Sequence, residues 1–190
     1  MRRTLAPHDA LTAGEVGLRR QIWALSVDLK HYGNDSDADA SARAFDHHIW
    51  SCMSEFVVAR EFNLFWKPHI GITKGCDVGG IIEVRMRNVP GSGTDLAIRP
   101  HDKPDKPHLL VLNFRNLTFD LVGWLSGDEG LARARDGCMW DEMHQCWYVP
   151  PPYRPLEELH KLVESWRSKE ESNDERSDTD TRSNPSRRVG

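Results

Sequence analysis

No two cysteines stand at CxxC spacing, no apolar run is long enough to cross a bilayer, and neither an internal repeat nor an excess of positive charge marks the chain. Each absence narrows the possibilities. Cys52, Cys76, Cys138 and Cys146 are too scattered for a disulfide framework, and without an apolar leader they suit a reducing cytoplasm. The missing apolar span argues against a membrane protein. A net charge of −4 and a pI near 6.1 provide no overall positive field of the kind that draws in nucleic acid, although an enzyme with a local basic groove stays open. Cys138, His144 and Cys146 lack the fourth well-spaced ligand of a zinc site, so free, partly buried cysteines are the simpler reading. Gly91-Ser92-Gly93 lacks the Lys-Ser/Thr of a phosphate-cradling loop. Apolar residues are also nearly missing from the last 23 positions, where Val189 stands alone, and a disordered charged tail is expected there.

The remaining chain has the size and pattern of one globular domain of class α/β. Residues 1–12 read as frayed. Leu18, Ile22, Leu25 and Leu29 recur at helical spacing and predict a helix over 13–31, followed by an acidic loop over 34–39. A second helix is expected over 41–62, with the stripe Phe45, Ile49, Cys52, Phe56 and Ala59. Glu55 falls beside that stripe and so needs a partner, either a structural salt bridge or a place in an active site. Strand-like runs follow at 76–78, 81–87, 95–99, 108–114, 118–125 and 146–149, with 127–137 a loop or short helix. Pro155 opens a last amphipathic helix carrying Leu156, Leu159, Leu162, Val163 and Trp166. Helices, then a block of strands, then a helix predict a mixed central sheet flanked by helices. The segments are 1–40, a helix and loop; 41–167, the main domain; and 168–190, the tail.

The window from Gly75 to Arg87 holds the chemistry. Period two places Ile81, Glu83, Arg85 and Arg87 on one strand face and Ile82, Val84 and Met86 on the other. Gly79-Gly80 allows a tight turn that brings Asp77 near Glu83. Two carboxylates so close repel unless a cation lies between them. Mg²⁺ suits them, since it takes oxygen ligands, binds one or two carboxylates and keeps several waters. A water on such a metal becomes a better nucleophile, and a neighbouring cation stabilises charge on a phosphate.

Asp77, five intervening residues, then Glu83-Val84-Arg85 resembles the signature of PD-(D/E)xK nucleases, and Glu55 on the preceding helix matches the further acid that many members carry. The wider pattern over roughly 45–163 is similar to a group of restriction endonuclease-like proteins found in bacteriophages and bacteria. Its pieces are Ser54-Glu55, Gly75 to Gly79, Ile82 to Arg85, Phe119 through Gly123-Trp124-Leu125, and Trp147 to Pro150 followed by Arg154-Pro155-Leu156. The resemblance implies a restriction endonuclease-like core over 41–167 and Mg²⁺- or Mn²⁺-dependent hydrolysis of DNA. It implies metal ligation by Asp77 and Glu83, by Glu55 directly or through water, and by the main-chain carbonyl of Val84, with Arg85 stabilising the phosphate. The family's proline is Cys76 here and its lysine is Arg85. Arginine stays protonated, so it orients and stabilises but does not accept a proton; Lys74 is a candidate substitute. The alternative is a nuclease-like module that binds DNA or a protein without cutting. A further alternative is an interaction protein whose acids pair with Arg85 and Arg87.

Other features carry less. Arg85, Arg87, Arg99, His101, Lys103, Lys106 and Arg115 form a central basic concentration that is either a groove or a set of solvated charges. The adjacent His47 and His48 cannot face one site from a helix. Trp124 and Trp147 are better read as packing residues than as base-stacking ones.

Overall fold

The computed structural model describes residues 1–27, 38–71, 76–89 and 93–182. They divide into two units, Met1–Leu156 and Glu157–Gly190.

The first unit carries two sheets. Strands β1 (Arg2–Thr4), β2 (Glu83–Asn88), β4 (Pro107–Asn113) and β5 (Thr118–Ser126) form one, in the order β1-β5-β4-β2. It is mixed: β2 runs parallel to β4, and the other pairs are antiparallel. β3 (Leu96–Ile98), β6 (Trp140–Asp141) and β7 (Cys146–Val149) form a smaller antiparallel sheet in the order β3-β7-β6. The chain is therefore mixed α/β, as expected. No helix among the described residues is long and apolar enough to cross a membrane.

Strand alternation sorts the side chains of the larger sheet. Val84 and Met86 lie opposite Leu109 and Val111 of β4 and share their face with Phe119, whose ring lies 6.3 Å from that of Trp50 on α2 (Ala38–Glu61). That face looks at α2. The other face carries His108, Leu110 and Leu112, opposite Glu83, Arg85 and Arg87. There Leu110 and Leu125 pack with Leu96, Ile98 and Val149 of the smaller sheet and with Ala134 of α3 (Gly127–Arg135). Ser126 starts α3 with a capping box, its hydroxyl accepting from the Glu129 N–H and the Glu129 carboxylate accepting from the Ser126 N–H.

Two expectations about the first helix fail. The helix α1 starts at Pro7 and ends at Ser26, and residues 2–4 form β1 instead of fraying. The antiparallel edge of β5 decides this: Arg2–Asp120 and Leu5–Leu117 contacts supply the pairing that three residues cannot signal locally. The leucine stripe is not the covered face. Leu18, Ile22 and Leu25 are exposed, Leu29 lies outside the described residues, and the buried face is Ala10, Ala13, Gly17, Gln21 and Ala24. Small residues win because α1 and α2 touch backbone to backbone. A Cβ on Gly17 would stand 2.5 Å from Ile49 Cα and 2.6 Å from the His48 carbonyl oxygen. Gly17→Ala therefore sets a helix-propensity gain of up to ~1 kcal/mol against overpacking of about 1–3 kcal/mol, and a net loss is expected. Urea unfolding with an unchanged midpoint would contradict that close approach.

In the second unit α4, which begins at Leu156, runs to Arg182. Helix thus continues through 168–182, where a disordered tail was expected. Between Pro155 and Pro185 the chain has neither Gly nor Pro, so neither strong helix breaker interrupts it. Residues 183–190 lie outside the described residues.

Candidate functional site

The site is built on a tight hairpin at the edge of the larger sheet. Val78 bridges Ile82, and the Ile81 N–H donates to the Val78 carbonyl at 3.0 Å. Gly79 and Gly80, with φ of 59° and 68°, supply the two left-handed residues that such a turn requires. This turn was expected, and its consequence follows: Asp77 is brought against the start of β2. Its Oδ2 accepts the Val84 N–H at 2.8 Å. β2 is an edge strand, and residue 84 faces away from β4 into the open edge. The N–H and C=O of one strand residue point the same way, so the Val84 carbonyl lies on that edge with Asp77.

Glu83 sits on the sheet face towards the smaller sheet. Burial pushes its carboxyl up, the charge of Asp77 pushes it further, and Arg85 opposes both. Arg85 Nη1 lies 3.2 Å from Glu83 Oε2, and Nη2 donates to Asp102 Oδ1 at 2.8 Å. Asp102 is fixed in turn by the Arg99 N–H at 2.8 Å and lies 3.5 Å from Nδ1 of the fully buried His108. Burial, and then the charge of Arg85, push His108 down to about 4, so its ring is neutral near pH 7. Asp102 and His108 complete this buried cluster, and sequence reasoning missed both. Asp102 sits in a segment that reads as a charged turn, and only the fold carries it under β2. Arg85 was expected to hold a phosphate. Its two terminal nitrogens are instead occupied by carboxylates and its side chain is only 10% exposed, so it acts on Glu83.

Glu55 lies on α2, buried. Arg20 of α1 grips it with a two-pronged pair, 2.6 Å to Oε1 and 2.8 Å to Oε2, and Trp66 Nε1 donates to Oε2 at 3.2 Å. Burial pushes the Glu55 carboxyl up against the pull of Arg20, and the charge of Asp77 adds to the upward push. Both Glu55 oxygens are thus engaged, Oε2 twice over, which leaves one lone pair, on Oε1, for any further partner. Its place is that of a salt-bridge partner, one of the two roles open to it in the sequence. Arg20 itself lies on a helix that sequence reasoning set apart from the main domain.

Asp77 thus stands between two charged layers and bears electrostatically on both Glu55 and Glu83. Among the described residues no three His, Cys, Asp or Glu side chains gather as a metal site. Two carboxylates and the edge carbonyl of Val84 remain, an all-oxygen donor set that fits Mg²⁺ or Mn²⁺ bound with several waters. Burial and then Glu83 push the Cys76 thiol up to about 12.

The other expectations resolve simply. Lys74 lies outside the described residues. The basic concentration is largely engaged: Arg85 as above, Arg87 stacked 4.1 Å over the Tyr148 ring, and Arg115 paired with Asp46 at 2.6 Å. Trp124 is buried and donates to the Pro155 carbonyl, and Trp147 packs on Trp140 with ring centres 4.7 Å apart. Cys138 donates to the Arg133 carbonyl and His144 pairs with Asp141, so no zinc set forms with Cys146. All four cysteines are free. A cleft of about 490 Å³ beside α3 is lined by Leu125, Arg133, Tyr153 and Arg154 among others, and by none of the site residues. Comparison with family models, with curated proteins and with solved structures finds no match for this chain.

Proposed function

We propose that the chain is a metal-dependent nuclease of the PD-(D/E)xK, restriction endonuclease-like type that hydrolyses phosphodiester bonds in DNA. The observation that carries this reading is Asp77, locked by the Val84 N–H onto the open edge of β2 beside Glu83, with its charge bearing on the neighbouring acids. The order of α2, acid hairpin and mixed sheet supports the same reading.

Asp77, Glu83 and the Val84 carbonyl would hold Mg²⁺ or Mn²⁺. When bound, such an ion lowers the pKa of a water and neutralises charge on a phosphoryl oxygen. The protein's own groups do the positioning. The Val84 N–H orients Asp77, and Arg85, tied to Asp102, fixes Glu83. Arg20 and Trp66 hold Glu55 behind the site. Arg85 stays protonated and takes no part in proton transfer.

Incubation of the full chain with plasmid and with single-stranded DNA tests the proposal. Cleavage is expected with Mg²⁺ or Mn²⁺ and none with EDTA; a folded protein that cuts neither substrate with either metal sinks it. One observation favours a second reading, a DNA- or protein-binding module that does not cut. Arginine replaces the signature lysine, and both its terminal nitrogens are engaged. Calorimetry showing tight DNA binding but no uptake of Mg²⁺ or Mn²⁺ selects that reading.

A further inference from the structure

The segment between α2 and the acid hairpin is pinned to the site at several points. The Leu64 N–H donates to the Ala59 carbonyl at 2.8 Å, the Phe65 carbonyl accepts the Gly79 N–H at 3.1 Å, and the His69 carbonyl accepts Arg20 Nε at 2.7 Å. Its two aromatic residues part company. Trp66 turns inward, bonded to Glu55 and set edge-on to Phe56 with ring centres 5.0 Å apart. Phe65 turns outward and is 75% exposed, although its own carbonyl is anchored two residues from Asp77. Lys67 beside it is exposed as well. A large apolar ring held in water, on a backbone bonded to the turn that carries Asp77 and two residues from an exposed lysine, has the parts of a stacking platform: a flat face for a base and a cation for its phosphate.

On the nuclease reading above, we propose that Phe65 stacks on an unpaired base next to the scissile phosphate, so that the preferred substrate is single-stranded or locally unpaired DNA. The ring can reach a base face only where that face is not already covered by its neighbours. In a duplex both faces are covered, and unstacking one costs a few kcal/mol. In a single strand the faces are open, and every base offers one, so this contact selects strand form and not sequence. Trp124 and Trp147, the aromatics that the sequence offered for this role, are committed to packing and pairing within the fold.

The test is anisotropy binding of the full chain to labelled oligo-dT and to a labelled duplex, both in EDTA so that nothing is cut. Phe65→Ala is expected to weaken oligo-dT binding about tenfold, in the range of one lost base–aromatic stack, and to leave duplex binding where it was. Phe65→Trp should retain binding, and the parent should quench a 2-aminopurine oligonucleotide that Phe65→Ala leaves bright. Removing so exposed a ring leaves the core untouched, and an unchanged thermal midpoint checks this. If the parent binds and Phe65→Ala binds oligo-dT equally well, or loses strand and duplex in parallel, the stacking role is overturned and the nuclease reading stands. If the parent neither binds nor cuts DNA with any metal, both fall together.

Discussion

Asp77→Asn is expected to abolish metal-dependent DNA cleavage while the fold survives. The substitution is nearly isosteric, and the amide oxygen can still accept the Val84 N–H that anchors Asp77 in the parent. What is lost is the negative charge, and with it one of the two carboxylates left for a cation once Glu55 is committed to Arg20. Losing an outer partner of a metal ligand costs roughly 10- to 100-fold in affinity or activity; losing a ligand's charge should cost more than that. Removing a charge that also pushes on Glu55 and Glu83 relieves repulsion, so the thermal midpoint should hold or rise slightly. Cleavage rates, Mn²⁺ calorimetry and a melting curve on one preparation check all three points. A variant that cuts at the parent's rate ends the assignment of Asp77, and a variant that unfolds makes the residue structural.

Breaking the Arg20–Glu55 pair should have the largest effect on stability. Glu55→Ala strands the Arg20 guanidinium, whose side chain is only 16% exposed, beside an empty space. Losing one partner of a buried, two-pronged pair costs about 3–5 kcal/mol. For a domain of this size, that corresponds to a midpoint lowered by roughly 6–20 °C. The double substitution Arg20→Met with Glu55→Leu removes both charges at once and should recover most of the loss, because two apolar side chains of similar volume carry no desolvation penalty. Urea unfolding of the two single variants and the double variant measures the coupling. A Glu55→Gln variant that keeps full stability but loses Mn²⁺ binding would return Glu55 to the metal. The pair also ties α1 to α2 and, through Arg20 Nε and the His69 carbonyl, to the segment bearing Phe65, so loosening it should also blunt oligo-dT binding.

The parts of this molecule legible in the sequence are those with short-range causes. Strands over 108–114 and 118–125 follow from runs of Leu, Val and Phe bounded by Pro and polar turn residues, and all of these residues but Phe114 lie in β4 and β5. The Gly79-Gly80 turn follows from stereochemistry, because two consecutive positive φ values are cheap only for glycine. Alternation placed Glu83 and Arg85 on one side of β2 and Val84 on the other. The missed parts depend on distant partners. Arg20 and Glu55 are 35 residues apart, and Arg85 and Asp102 are 17 apart, and no local pattern announces either pair. The leucine stripe of α1 marks a helix but an exposed side of it, because periodicity reports which residues share a face, not which face is covered. Ala and Gly, which score weakly as apolar, allow a closer helix approach than Leu does.

The sequence by itself determined the main strands β4 and β5, the acid-bearing turn and the spacing of Asp77, Glu83 and Arg85, since these depend on backbone stereochemistry and side-chain period within a few residues. Only the tertiary structure decided which charge answers which. It gave Glu55 to Arg20 and Arg85 to Asp102 and Glu83, set Asp77 against the Val84 N–H on the edge of β2, and left Phe65 out in solvent. The physical reason is desolvation: a buried charge must find a partner, and that partner is whatever the folded chain brings within reach.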